Sequence, residues 1–126
     1  MVLAAKATVE AAPNFLENLE AAHQFFMLQD AESAASRLSK LKAELRQMVQ
    51  ILAWSPSSGR TACFFKIKSA QARLKAEAVI QLAELAGLSD LREYIVGQHI
   101  VLYAHSDNSV VLLALKNQRQ LIYSAE

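Results

Sequence analysis

Leu91-Arg92-Glu93-Tyr94-Ile95-Val96, His99-Ile100-Val101-Leu102-Tyr103-Ala104 and Val110-Val111-Leu112-Leu113-Ala114-Leu115 are three short runs rich in β-branched and aromatic residues. Their reading decides the fold. Each run has the length and composition of a strand, and each is separated from the next by a turn signal. Gly97-Gln98 divides the first from the second, and Asp107-Asn108 the second from the third. Two residues suffice to reverse a chain between antiparallel neighbours, so the three runs form an antiparallel meander. The meander ends in Lys116-Asn117-Gln118-Arg119, a polar, basic exit where a functional edge would sit.

A meander must bury one face, and the sequence upstream supplies the cover. Ala7–Ala11 is a short strand ended by Pro13. Asn14 with Glu17 three residues on has capping-box spacing and predicts a helix starting there. Phe15, Leu19, Ala22 and Phe26 recur every three or four residues as one apolar stripe, flanked by His23. Asp30 is positioned to cap a second helix with Leu38, Leu41, Leu45, Met48 and Leu52 on one face. Arg37, Lys40, Glu44 and Gln47 fall on its other face and read as solvated surface. The short connection makes the pair an antiparallel helical hairpin over residues 14–53. The expectation is therefore an α+β domain, helical hairpin on an antiparallel sheet, with the other sheet face or an edge left for a partner.

Trp54-Ser55-Pro56-Ser57-Ser58-Gly59 is a loop, since the helical period stops where Pro and Gly flank serines. Thr61–Ile67 reads as a strand, and Ser69 begins a third helix with Ala72, Leu74, Ala78, Val79, Leu82 and Leu85 on its apolar face, stopped by Gly87. Gly59 is expected to hold a backbone conformation that a side chain would strain, and Arg60 either to pair with a local carboxylate or to bind a partner.

Composition limits the classes. With 126 residues, 53% of them hydrophobic, two prolines and three glycines, residues 1–126 fit one domain with a sizeable core. A formal net charge of +1 argues against sequence-blind electrostatic binding of nucleic acid. Charge is nonetheless uneven. Arg60, Lys66, Lys68, Arg73 and Lys75 make a basic segment without a carboxylate. Lys66 and Lys68 lie on one side of a strand, where they could grip a phosphate or simply protect an edge. The single cysteine, Cys63, excludes an internal disulfide and a cysteine zinc cluster, and its apolar neighbours make it a small core residue. The N-terminal apolar run is too short for a signal peptide and no run spans a membrane, so a cytoplasmic location without membrane association is expected. There is no Gly-rich phosphate loop, His-Glu-x-x-His or Gly-x-Ser-x-Gly, and His23, His99 and His105 are too scattered in sequence to read as a metal site.

The strand, helical hairpin, Pro56-Ser57-Ser58-Gly59-Arg60 loop, Leu91-Arg92-Glu93-Tyr94 strand, Tyr103 strand, valine-rich strand and basic ending stand in the order found in the RelE/ParE superfamily. Over nearly its whole length the chain resembles those toxins. The resemblance implies a RelE/ParE-like fold, a toxin of a bacterial type II toxin-antitoxin system that stabilises plasmids, and neutralisation by a cognate antitoxin. It implies DNA gyrase or the ribosome as target, no cofactor and no metal, and is compatible with a homodimer. The family's nuclease branch uses lysines on the strand matching Leu91–Val96, an arginine opening the next strand, and an arginine and tyrosine after the last. Here that strand has no lysine and Ile100 stands in the arginine's place, leaving Arg119 and Tyr123 as the catalytic candidates. RNA cleavage needs a base, an acid and cations on the phosphorane. The expectation is accordingly a toxin acting by contact and not as an enzyme, with Arg60, Arg92, Lys116 and Arg119 as candidates for target or partner binding. A ribosome-dependent endoribonuclease and a non-toxic orphan homologue are the alternatives.

Overall fold

The meander forms with the expected turns. In the computed structural model, which describes residues 6–61, 81, 88 and 90–118, the chain runs β1 (Thr8–Ala11), α1 (Pro13–Gln29), α2 (Ala31–Trp54), a 3-10 turn (Pro56–Ser58), β2 (Arg60–Thr61), β3 (Asp90–Val96), β4 (His99–His105) and β5 (Ser109–Asn117). Gly97 has φ +57°, the left-handed conformation that lets the β3–β4 turn close without a Cβ clash. The sheet order is β1-β5-β4-β3-β2. The sheet is mixed, because β1 pairs parallel to β5 while the other pairs are antiparallel. The parallel pair is possible because the whole helical hairpin lies between β1 and the meander and carries the chain back across the sheet.

Both hydrophobic stripes pack on this sheet. Phe15, Phe26, Leu41, Leu45, Met48 and Leu52 form one core with Val96, Val101, Tyr103, Val110, Leu112 and Leu115, and Leu19, Ala22 and Leu38 pack at its margin. Asp30 caps α2, its Oδ1 accepting from the Glu32 amide at 3.1 Å. The start of α1 departs from expectation. Its N-cap is Ala12 with Pro13 in the first turn, and no side chain caps it. Proline suits that position, since its missing N–H would have no helical partner and its φ is already helical. Asn14 is thereby released from capping and turned into the core.

The opposite face of the sheet is also buried at its centre. Ile100, Leu102, Ala104, Leu113 and Ala114 form a second cluster, with Ala12, Leu88, Leu91 and Val111 against it. Of the two places expected to remain for a partner, the other face or an edge, the face is closed at its centre. Six consecutive buried residues in β4 are the signature of a central strand covered on both sides. The strand expected over residues 61–67 is described only at Thr61 and the third helix from Ser69 only at residue 81, which is helical; Gly87, Cys63, Lys66 and Lys68 lie outside the described residues. No helix among the described residues is long and apolar enough to cross a membrane.

Candidate functional site: a cleft beside the sheet and a charge cluster at its rim

A break in the β4–β5 ladder organises the site. Leu102 is opposite Ala114 but Tyr103 is opposite Leu112, so Leu113 is an extra residue and β5 bulges there. Backbone groups around a bulge need other partners, and α1 provides them. Asn14, buried, donates from Nδ2 to the Leu113 carbonyl at 3.0 Å, while Asn18, one turn on, accepts from the Leu115 amide at 2.9 Å. The two amides pin α1 to β5.

Beyond that clamp, the hairpin and the β3–β4 end of the sheet enclose a cleft of about 980 Å³. Phe25, Phe26, Leu41 and Leu115 provide apolar wall, Asn18 a polar group from α1, and Gln98, His99 and Asn117 the polar groups of the sheet side. His99 is buried and its ring meets Phe26 nearly perpendicular, centroids 6.0 Å apart. Burial lowers its pKa below the usual histidine value; Glu44 opposes the shift and Arg37 adds to it. The imidazole is consequently a neutral donor and acceptor. Arg37 lies over Phe26, its guanidinium carbon 4.2 Å from the ring centroid. Arg37, Lys40 and Gln47 are exposed, as their reading as solvated surface expects, and Glu44 is half-buried; Arg37, Lys40 and Glu44 also line the cleft. The reason is geometric. They flank the apolar stripe of α2, and near the hairpin connection that flank looks across to α1 and the β3–β4 turn. Glu17 lines the cleft from α1 and Lys116 from β5, so three cations, Arg37, Lys40 and Lys116, meet two carboxylates, Glu17 and Glu44, there.

No family model and no curated protein matches this chain. What can be assigned rests on the placement of its residues.

The four expected binding residues do not form one surface. Arg60, on the edge strand β2, pairs with buried Glu93 at 3.6 Å, the local carboxylate, while its own side chain stays more than half exposed. Lys116 joins these two at the exit of β5. Burial lowers its pKa, the Glu93 carboxylate working against that shift and the Arg60 charge with it. Arg92 points to the other face, because neighbours along a strand alternate. It is held inside, its Nη1 donating to the Gly59 carbonyl at 2.9 Å and its Nε to His105 Nε2 at 3.1 Å, with Asp90 3.6 Å away. Arg119 and Tyr123 lie outside the described residues. Among the described residues no three histidine, cysteine or acidic side chains gather as a metal site.

Gly59 also differs from expectation. Its φ is −73°, open to any residue, and what demands glycine is close approach. A Cβ there would lie 2.6 Å from the Glu93 carbonyl oxygen and 2.7 Å from the Tyr103 hydroxyl. That hydroxyl donates to the Pro56 carbonyl at 2.7 Å and accepts from the Gly59 amide at 2.8 Å. In the sequence His99 was weighed only as a metal ligand, although a histidine alternating with Val101 and Tyr103 on an apolar face was a visible signal.

Proposed function

We propose that the chain is a RelE/ParE-type toxin of a type II toxin-antitoxin pair that acts by contact, with DNA gyrase as target, and is neutralised by a cognate antitoxin. The observation that carries this reading is that the separate short pieces behind the resemblance meet. Pro56 and Gly59 of the loop, Arg92 of the Leu-Arg-Glu-Tyr strand and Tyr103 of the next strand are joined by direct hydrogen bonds. A helical hairpin on a five-stranded sheet agrees with the order of elements in that family. Action by contact is supported by Phe25, Met27 and Leu28, half to mostly exposed toward the end of α1, where a protein partner could cover them.

A ribosome-dependent endoribonuclease is the second reading, and one observation favours it. A neutral imidazole, His99, lines a cleft that Arg37 and Lys40 share, and such a ring could accept a proton from a ribose hydroxyl. Inducing the chain in plasmid-bearing cells while following growth, supercoiling and transcript integrity separates the readings. Growth arrest with altered supercoiling and intact transcripts is expected. Site-specific transcript cleavage lost in His99→Gln would replace the contact reading with the nuclease, and undisturbed growth would leave an orphan homologue.

A further inference from the structure

The cleft between the helical hairpin and the sheet has the parts of a small-molecule site, whether or not the chain is a toxin. Its volume, about 980 Å³, is at the upper end of the roughly 300–1,000 Å³ that such sites occupy. They combine an apolar wall with a few polar groups held in place. In this wall Leu41 and Leu115 are buried, while Phe25 is left 49% exposed. A ligand that covered the Phe25 ring would take apolar surface out of water.

Arg37 is the polar group held in place. Its guanidinium carbon stands 4.2 Å from the centre of the Phe26 ring, and its Nη1 donates to Gln29 Oε1 at 2.9 Å. Both partners belong to α1, so a long side chain of α2 is fixed across the hairpin at the cleft wall. A guanidinium presents five N–H donors in a rigid fork, and a carboxylate accepts two of them side by side. Lys40, one turn along α2, lines the cleft as well.

The charges of the lining set the valence of the ligand. Arg37, Lys40 and Lys116 stand against Glu17 and Glu44, a surplus of one positive charge. Arg60 and Glu93, which bear on Lys116, leave that surplus unchanged. Glu44 is directed at the β3–β4 turn, its Oε2 2.7 Å from the place a Gly97 Cβ would take. One negative charge on a ligand is thus matched, whereas the second charge of a phosphate monoester would add repulsion from Glu17 and Glu44. We propose that the cleft binds a small organic monocarboxylate, its carboxylate on the Arg37 fork beside Lys40 and its apolar body against Phe25, Leu41 and Leu115.

Calorimetry and amide nuclear magnetic resonance of the full chain at neutral pH test the site, with phenylpropionate and octanoate as an aromatic and an aliphatic monocarboxylate. At least one is expected to bind saturably with a Kd below about 1 mM and to shift the Gln98 and His99 amides. Phenylpropionamide, which keeps the body and loses the charge, and phenyl phosphate, which adds a second charge, should both bind more weakly. Arg37→Gln should weaken binding about tenfold to a hundredfold, the loss expected of a charge-assisted pair. Arg37→Lys keeps the charge without the fork and should restore only part of it. Arg46→Gln removes the same charge from an exposed position outside the cleft and should change nothing. Arg37 and Arg46 are both exposed, so these variants keep the fold. Failure of both monocarboxylates to bind the parent overturns the assignment without any variant. So do equal affinities for phenylpropionate and its amide, tighter binding of phenyl phosphate, or an equal loss in Arg46→Gln.

Discussion

Replacing Gly59 by alanine tests the tightest junction in the molecule. A methyl group there would lie 2.6 Å from the Glu93 carbonyl oxygen, 2.7 Å from the Tyr103 hydroxyl and 2.8 Å from Tyr103 Cε1. Tyr103 is fully buried, so its ring cannot swing outward, and the carbonyl belongs to a paired strand. The loop must give instead. Moving it strains or breaks the Gly59 amide bond to Tyr103, the Tyr103 bond to Pro56 and the Arg92 bond to the Gly59 carbonyl. Overpacking costs about 1–3 kcal/mol, and one displaced hydrogen bond adds roughly 1 kcal/mol. The lost freedom of the unfolded chain returns about 0.4–1 kcal/mol, since the backbone angle here suits alanine. The net is a destabilisation of about 1–3 kcal/mol, or a fall in Tm of roughly 4–12 °C for a domain of this size. Thermal and urea unfolding of Gly59→Ala, Tyr103→Phe and the double variant give the answer as a cycle. Removing the hydroxyl first clears one of the three clashes, so the alanine should cost less in Tyr103→Phe than in the parent. A Gly59→Ala protein as stable as the parent would refute the close-approach argument, and strict additivity would remove Tyr103 from it.

Leu41→Ala should cost about 2–5 kcal/mol in urea unfolding, because Leu41 is buried where both helices meet the sheet. Asn14→Ala should cost about 1–3 kcal/mol by stranding the Leu113 carbonyl at the bulge, and more than Asn18→Ala, whose site is only partly buried; the opposite ranking would show that the bulge relaxes. Stability should also fall as pH drops below about 6.5, the ordinary histidine value. His99 has a lowered pKa in the fold, so the unfolded chain takes up protons first and the loss levels off only below the folded value. Comparing urea midpoints of the parent and His99→Gln from pH 8 to 5 checks this, and a parent curve no steeper than the variant's would contradict it.

How far the sequence could be read depended on the range of the cause. Leu41, Leu45, Met48 and Leu52 had to share one helix face whatever they packed against, and Asp30 caps α2 through an amide two residues away. The Gly97-Gln98 turn and the alternation of Arg92 and Glu93 are equally local. Asn14 shows where such reasoning stops. Its spacing to Glu17 fits a cap, but Pro13 already begins the helix and a carbonyl 99 residues away in sequence takes the side chain. Gly59 was rightly marked as a glycine that could not change, yet for a cause located in Tyr103 and Glu93 and not in its own backbone.

Local periodicity and turn chemistry by themselves determined the two helices, the three-strand meander and the faces they bury, because each is set by contacts within a few residues. Tertiary structure alone decided the parallel pairing of β1 with β5, the bulge at Leu113, the cleft lined by His99, Arg37 and Glu44, and the separation of Arg92 from Arg60 and Lys116. Those depend on which distant segments meet and in what register, and a one-residue change of register moves every side chain of a strand to the other face.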